Sequence, residues 1–320
     1  MTMDISIIII NWNTRQLLLD CIDSVFRTVL QAKFEIFVVD NGSSDGSVEA
    51  VQSAFPSVKI IASKKNQGFA KANNIALRQM QGQYAVLLNS DTVLKTSAIE
   101  TMLDFMDRHP EAGMCGPQLL NRDGSKQTST GSFPTLLNEF ASKAVVRLLS
   151  KRHSLKALRA DPEGSTAPHQ VDFIIGACMM VRKSALAEVG LLDEDFFFFY
   201  EEIEWCQRMH KGVWPVYHLP AVEIFHYQKM SFTGINLRGR AESWRSRYIY
   251  FNKSLNLSGF SYASLLIAGG MLSAVHFFEY GVMNILTCFT QSNLRSRWYL
   301  FGYLLVWHVR GLPESMCLPR

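Results

Sequence analysis

A chain of 320 residues with 48% hydrophobic and 19% charged side chains is long enough to bury a sizeable core and too apolar to be disordered. Its net charge of +4 comes from 32 basic and 28 acidic residues without long like-charge runs, which argues against the basic, aromatic-interleaved surface that a nucleic-acid partner needs. Cys21, Cys115, Cys178, Cys206, Cys288 and Cys317 show no C-x-x-C spacing, so neither a zinc ribbon nor a disulfide framework is expected, and a reducing compartment fits.

Met1-Thr2-Met3-Asp4 runs straight into an Ile-rich strand, Ile5–Ile10. That run is too short for a signal-peptide core and lacks a basic start, so this part of the chain is expected in the cytoplasm. Apolar and amphipathic stretches then alternate: a helix over Thr14–Leu30, a strand over Phe34–Asp40, a helix over Gly46–Ala54 and a strand over Val58–Ala62. A helix over Gly68–Met80 and a strand over Tyr84–Asn89 follow. Such alternation predicts an α/β fold with a mostly parallel sheet and helices on both faces. Ligands in that architecture bind at the carboxyl ends of the strands. Polar clusters stand there: Asn11-Trp12-Asn13, then Asp40 to Gly46, then Asn89-Ser90-Asp91.

Beyond a helix over Ser97–Arg108, stopped by Pro110, the pattern is irregular, and Lys151–Gln170 reads as an exposed loop with Pro162, Gly164 and Pro168. Apolar order resumes over Val171–Arg182, followed by a short helix, Lys183–Val189, and the aromatic run Phe196–Tyr200. Composition shifts again after about Arg247, which suggests a domain over 1–247 and a helical, membrane-associated region over 248–320. Phe260–Phe278 contains no Asp, Glu, Lys or Arg and approaches the length of a bilayer span. Trp298–Val309, flanked by Arg295, Arg297 and Arg310, suits an interfacial helix. A buried helical pair is the competing reading.

Asp40 ends an apolar strand before a Gly-Ser-rich turn, where its carboxylate can accept hydrogen bonds from a base or ribose, although Asp-Asn-Gly is equally an ordinary turn. Asn66, Gly68, Asn73 and Asn74 form a second polar cluster, with Gly68 allowing close backbone approach at a helix start. Asp91, just past a buried strand, can hold a hard cation that bridges two phosphates. Glu201-Glu202-Ile203-Glu204 follows four phenylalanines and a tyrosine, and carboxylates beside an apolar wall acquire the raised pKa of a general base. A solvated acidic helix start is the plain alternative. His226 alone reads as structural more often than as a ligand.

In order, these segments resemble family 2 of the inverting nucleotide-sugar glycosyltransferases, most closely its rhamnosyltransferase-like branch, over about Ile5 to Ser231. Ile-Ile-Asn-Trp-Asn at 9 to 13, Val-Val-Asp-Asn-Gly-Ser-Ser-Asp-Gly-Ser at 38 to 47, Asn-Gln-Gly-Phe-Ala-Lys-Ala-Asn-Asn at 66 to 74 and Leu-Leu-Asn-Ser-Asp-Thr at 87 to 92 carry the likeness. So do Gly-Ala-Cys-Met-Met-Val-Arg at 176 to 182, Phe-Phe-Tyr-Glu-Glu-Ile-Glu at 198 to 204, and His226. The resemblance implies a GT-A fold, with Asp40 on the nucleotide base and Asn11, Asn13, Asn41, Asn66, Gly68, Asn73, Asn89 and Ser90 as further donor-binding candidates. It implies a divalent metal, Mg²⁺ or Mn²⁺, on Asp91 and His226. Glu202 stands at the position of the catalytic base, with Glu where the family usually has Asp, so Glu201 is a candidate to share the role.

The same resemblance suggests dTDP-rhamnose as donor and a lipid-linked saccharide of bacterial surface polysaccharide as acceptor, handled at the cytoplasmic face of the inner membrane. Asp172 and Gly176-Ala177-Cys178 would lie where the acceptor approaches, with Cys178 a small buried hydrophobe rather than a nucleophile. A noncatalytic sugar-nucleotide-binding or scaffold protein is the alternative, and the presence of Asp91 with Glu201-Glu202 speaks against it. A Rossmann oxidoreductase would need G-x-G-x-x-G where Asn11-Trp12-Asn13 stands.

Overall fold

Strand β1, Ile5–Asn11, buries Ile5, Ile7, Ile8 and Ile9 completely, because both of its faces are covered. In the computed structural model, which describes residues 3–136, 166–227 and 237–310, β1 lies between β2 (Phe34–Asp40) and β4 (Tyr84–Asn89). Strand β3 (Lys59–Ala62) flanks β2, and all four run parallel. Ile5, Ile7 and Ile9 share one core with Leu18, Ile22 and Val25 of α1 (Arg15–Thr28) and Ile99 and Met102 of α4 (Ala98–Arg108). Helix α3 (Phe69–Leu77), rich in alanine, packs on β1 and β2, while the short α2 (Ser47–Ala54) joins β2 to β3. These elements fall within a few residues of where the periodicity puts them.

The second half of the sheet is mixed. Strand β10 (Cys178–Arg182) enters antiparallel between β4 and β6 (Met114–Leu120), so its first residues lie beside the carboxyl end of β4, with Cys178 opposite Leu88. Strand β11 (Val216–His226) runs parallel to β6 and carries the three-residue β5 (Thr92–Leu94) antiparallel on its last residues. Short β8 (His169–Gln170) also pairs with β11, and β7 (Thr130–Gly131) pairs with β9 (Phe173–Ile174).

The irregular pattern after Pro110 conceals β6 and most of β11 because each contains a proline. Pro117 is tolerated because β6 pairs with β10 only at Met114 and Cys115, so no ladder bond is required from its nitrogen on that side. Pro220 sits in the register shift between Leu219 and Glu223, a bulge that lets one strand pair with β6 throughout and with β5 at its end. Helices α5 (Lys183–Val189) and α6 (Glu201–Lys211) complete this unit, which comprises residues 3–133, 166–194 and 201–227 of those described. Residues 151–165 of the expected loop, Ser231 and Cys317 lie outside the described residues.

Cys21, Cys115, Cys178 and Cys206 are buried and free, Cys288 is exposed, and burial pushes the thiols of Cys21 and Cys206 up to about 12. Burial likewise raises Cys178, in keeping with a small hydrophobe.

The second unit holds residues 134–136, 195–200 and three helices, α7 (Leu237–Leu255), α8 (Gly259–Leu286) and α9 (Ser292–Arg310). Ser258 caps α8 by accepting the Ser261 N–H. The expected Phe260–Phe278 segment is part of a longer helix, since Glu279 ends the uncharged run but not the helix, and it pairs with His276 at 3.0 Å on the surface. Stacked Phe277–Trp298 and Tyr280–Phe301 rings join α8 to α9. Gly269 leaves the room that the Tyr248 hydroxyl needs to reach His308 Nε2 at 2.7 Å. The outer face of α8 carries Ile267, Met271, Val275, Phe278 and Val282, all exposed at helical spacing. By length and composition α8 is long and apolar enough to cross a membrane.

At the amino edge of the sheet, Glu35 is buried and accepts hydrogen bonds from Ser6 Oγ (2.6 Å), Lys59 Nζ (2.7 Å) and the Gln81 N–H (2.7 Å). Burial works against its charge, but these bonds prevail and hold the carboxyl below its ordinary value. A lowered folded pKa contributes its full stability above the unfolded glutamate value of about 4.3, and that contribution is lost as pH falls on through the lower folded value. Glu35→Gln should therefore lower stability by about 2 kcal/mol at pH 7. Urea unfolding repeated towards pH 3 should show its deficit relative to the native chain shrinking.

Candidate active site

Four chain segments meet at the carboxyl edge of β1, β2 and β4. Asp40 is buried, and its Oδ1 accepts Asn11 Nδ2 (2.8 Å) while its Oδ2 accepts the Ser43 N–H (2.9 Å). Asn11 Nδ2 also reaches Ser43 Oγ (3.0 Å), and Asn13, at φ 54°, donates its N–H to the same oxygen and accepts the Ser44 N–H. Residues 40–45 are thereby clasped to residues 11–14. Asn41 does the same for the next loop: its Oδ1 accepts the Gln67 N–H (2.8 Å), and its Nδ2 donates to Asn66 Oδ1 (2.9 Å) and Gly68 O (3.1 Å). Gly42 is left-handed, at φ 81°, and a Cβ there would fall 2.9 Å from Lys65 Cα, so only glycine allows the two loops to approach. Asn73 does not join this rim; it is fully buried in α3 and donates to Phe69 O.

The turn after β4 is tied to the same network. Thr14 Oγ1 donates to Asn11 Oδ1 (2.7 Å) and, with its only proton so used, accepts from Ser90 Oγ (2.9 Å). A continuous line of bonds thus runs from Asp40 through Asn11 and Thr14 to Ser90. Asn89 donates its N–H to Ala177 O (2.9 Å) and its carbonyl accepts Thr92 Oγ1 (2.7 Å). Asp91 is buried between these anchors and the β5–β11 ladder, in which Thr92 is the partner of His226. That register sets His226 Nε2 3.4 Å from Asp91 Oδ1, and the Tyr227 N–H bonds to Asp91 O (2.8 Å).

A carboxylate oxygen beside an imidazole nitrogen, both nearly buried, is a donor set that suits Mn²⁺ or Mg²⁺ completed by phosphate or water oxygens. Among the described residues no group of three or more His, Cys, Asp and Glu converges; Asp91 and His226 stand as a pair. On the other side of His226, Nδ1 lies 3.1 Å from Gln127 Oε1. Nothing in the sequence marks Gln127; only the turn at Asp123-Gly124 hints that the chain doubles back on β6.

Glu202 approaches from α6. Phe199 and Tyr200 precede this helix at φ 69° and 71°, a conformation that costs a non-glycine residue about 1–2 kcal/mol. Within the acidic start, Glu201 is buried and Glu204 grips Arg208 Nε through both oxygens (2.8 and 2.9 Å), leaving Glu202 the half-buried member. Arg208 in turn donates to Val189 O and Leu191 O (2.5 and 2.7 Å), which anchors the helix. Glu202 lies over Gly176, where an added Cβ would sit 3.6–3.8 Å from its Cβ, Cγ and Cδ. Because Ala177 O holds Asn89, the segment before β10 links Glu202 to the turn bearing Asp91. The Asp172 carboxylate is engaged with the Phe133 N–H (3.0 Å).

A mixed sheet whose carboxyl edge gathers a polar rim and an Asn-Ser-Asp turn, with a carboxylate approaching from α6, defines a GT-A glycosyltransferase. The chain belongs to Glycosyl transferase family 2, which matches residues 6–190. It is similar to the N-acetylglucosaminyl-diphospho-decaprenol L-rhamnosyltransferase of Mycobacterium tuberculosis, 26% identical over 226 residues covering 67% of this chain and 73% of that one. The dTDP-rhamnosyl transferase RfbF of Shigella flexneri is 24% identical over 209 residues, 63% of this chain and 64% of its own. Among solved structures, the mannosyltransferase PcManGT from Pyrobaculum calidifontis, in complex with GDP-Man and Mn²⁺, superposes with a TM-score of 0.57 at 14% identity. That superposition covers 99% of this chain and 89% of the other, and at such identity it bears on the fold.

The tie from Asn41 to the 66–68 loop can be measured directly. Asn41→Ala should raise hydrogen exchange at the Gln67 amide about fivefold, as expected for loss of a bond worth about 1 kcal/mol. Exchange at the β1 amides should stay unchanged.

Proposed function

We propose that this chain is an inverting, divalent-cation-dependent glycosyltransferase that moves a sugar from a nucleotide diphosphate to an acceptor hydroxyl. The observation that carries the proposal is the convergence of Asp91 and His226 at 3.4 Å on the carboxyl edge of the sheet, joined through Ala177 and Gly176 to Glu202. In this reading Asp40, Asn11, Asn13, Asn41, Asn66 and Gly68 form the wall against which the nucleoside lies, and Asn89 and Ser90 bring the diphosphate to Asp91. A cation held by Asp91 and His226 would offset the charge that develops on the leaving diphosphate.

Glu202 takes the proton of the acceptor hydroxyl while the acceptor oxygen attacks the anomeric carbon opposite the diphosphate; the C–O bond to the diphosphate breaks with its electron pair. A single displacement inverts that centre. Glu201, being buried, suits the support of α6 better than proton transfer. Glu202→Gln should reduce turnover by about a hundredfold to ten-thousandfold while donor binding stays intact. Near-normal turnover, measured by nucleotide release, would remove Glu202 from the role of base. The same assay separates catalysis from a purely binding or scaffold role.

For the donor we favour dTDP-rhamnose, supported by the rhamnosyltransferase relatives from M. tuberculosis and S. flexneri. A lipid-linked saccharide of a bacterial surface polysaccharide is the favoured acceptor, supported by the decaprenol-linked substrate in the first relative's name. The outer face of α8 and the basic residues Arg295 and Arg297 on α9 suit attachment at the cytoplasmic face of the inner membrane, where such an acceptor is held. Replacing Met271, Val275 and Phe278 together by serine should shift the protein from the vesicle-bound to the free fraction in flotation with anionic liposomes. Unchanged flotation would detach α8 from membrane binding.

A further inference from the structure

His226 is gripped at two points by one side chain. Gln127, itself buried on the hairpin that returns to β6, donates through Nε2 to three acceptors: Leu120 O (3.2 Å), Asn121 Oδ1 (2.9 Å) and His226 O (2.6 Å). Asn121 is oriented by its own donation to Ser125 Oγ (2.9 Å), so its oxygen faces Gln127. The backbone of Gln127 is fixed as well, its N–H bonded to Leu119 O and its carbonyl accepting Gln118 Nε2 (2.7 Å) and Ser129 Oγ (3.0 Å). Turning the amide over would set Oε1 against three acceptor oxygens. The amide therefore has one satisfiable orientation.

That orientation decides which tautomer the neutral ring adopts. Gln127 Oε1 can only accept, so His226 Nδ1, 3.1 Å away, must be the donor. With the proton on Nδ1, neutral imidazole presents a lone pair at Nε2, and Nε2 is the atom 3.4 Å from Asp91 Oδ1. In that tautomer Nε2 and the adjacent Asp91 oxygen are two electron-pair donors side by side, the arrangement that a shared cation requires.

We propose that Gln127 is a positioning residue that fixes His226 in the Nδ1–H tautomer and so aims Nε2, together with Asp91, at a divalent cation. The proposal rests on Asp91 and His226 as the cation site, and it assigns to the hairpin after β6 the task of preparing that site before any ligand arrives. A histidine held through its second nitrogen is a better ligand because neither tautomer nor ring angle has to be chosen on binding.

Long-range ¹H–¹⁵N spectra of the full chain at pH 8, without metal, should show His226 as the Nδ1–H tautomer. A neutral ring in the Nε2–H tautomer would overturn the proposal. Gln127→Met, similar in volume and without an acceptor, should mix the tautomers and weaken binding of Mn²⁺ alone, followed by the EPR signal of the free ion, by about tenfold to a hundredfold. If the Met variant does not fold, the tautomer of the native chain decides, since Gln127→Glu would set a second carboxylate oxygen against Leu120 O, Asn121 Oδ1 and His226 O. A folded Gln127→Met protein with native Mn²⁺ affinity would refute the role of Gln127. His226→Ala separates the two claims. If it abolishes Mn²⁺ binding while Gln127→Met does not, Gln127 alone is refuted; if it leaves Mn²⁺ binding unchanged, the cation site itself fails and the positioning role falls with it.

Discussion

Three residue pairs hold the site together: Leu94 with Ile224, Val93 with Phe225 and Thr92 with His226. Without this ladder Asp91 would end an ordinary strand turn and His226 would end a distant strand, with no reason to meet. The ladder is short, yet it is braced on both sides. Strand β11 is already committed to β6, and β5 leans on α1 through Ser24 Oγ, which accepts the Leu94 N–H. Burial of Leu94 and Ile224 then makes slippage costly, because a shift by one residue would turn both out of the core.

The polar rim follows a different logic. Asp40, Asn11, Thr14, Ser90 and Asn41 are all buried, and each spends its hydrogen bonds on a neighbouring segment. Satisfied networks of this kind rigidify what they connect, because breaking one member leaves a desolvated partner behind. Loops that would otherwise move independently are thus held in a fixed relation before a nucleotide arrives. Preorganisation of this sort is what electrostatic catalysis of group transfer requires.

The first half of the fold was legible because its signals are local. Apolar runs such as Ile7–Ile10 within β1 have few alternatives to a buried parallel strand, and the amphipathic periods of α1 and α4 are plain. Legibility failed where long-range pairing overrules local punctuation. Pro117 and Pro220 look like breakers and are tolerated for reasons visible only in the ladder pattern, and β5 is too short to carry a period at all. Most of the polar residues singled out in the sequence do gather on one edge, since strand ends in a doubly covered sheet have nowhere else to go. Asn73, one residue from a true anchor, does not; Asn74 is the side chain that pins Leu192 and Glu194. Gln127 stayed invisible because its importance lies in partners far along the chain.

The bulge at Pro220 has a consequence for how such a chain can change over time. From Val222 to His226 the residues alternate strictly between the core and the outer side, with Val222, Ile224 and His226 inward and Glu223 and Phe225 partly exposed. Parity downstream of the bulge therefore selects which side chain stands beside Asp91. A one-residue insertion or deletion between the bulge and His226 leaves the strand able to pair but exchanges histidine for a neighbour. Length variation upstream can be absorbed by the irregular backbone around Pro220 itself, so lineages are free to lengthen the approach to this strand while its last five residues keep a fixed count.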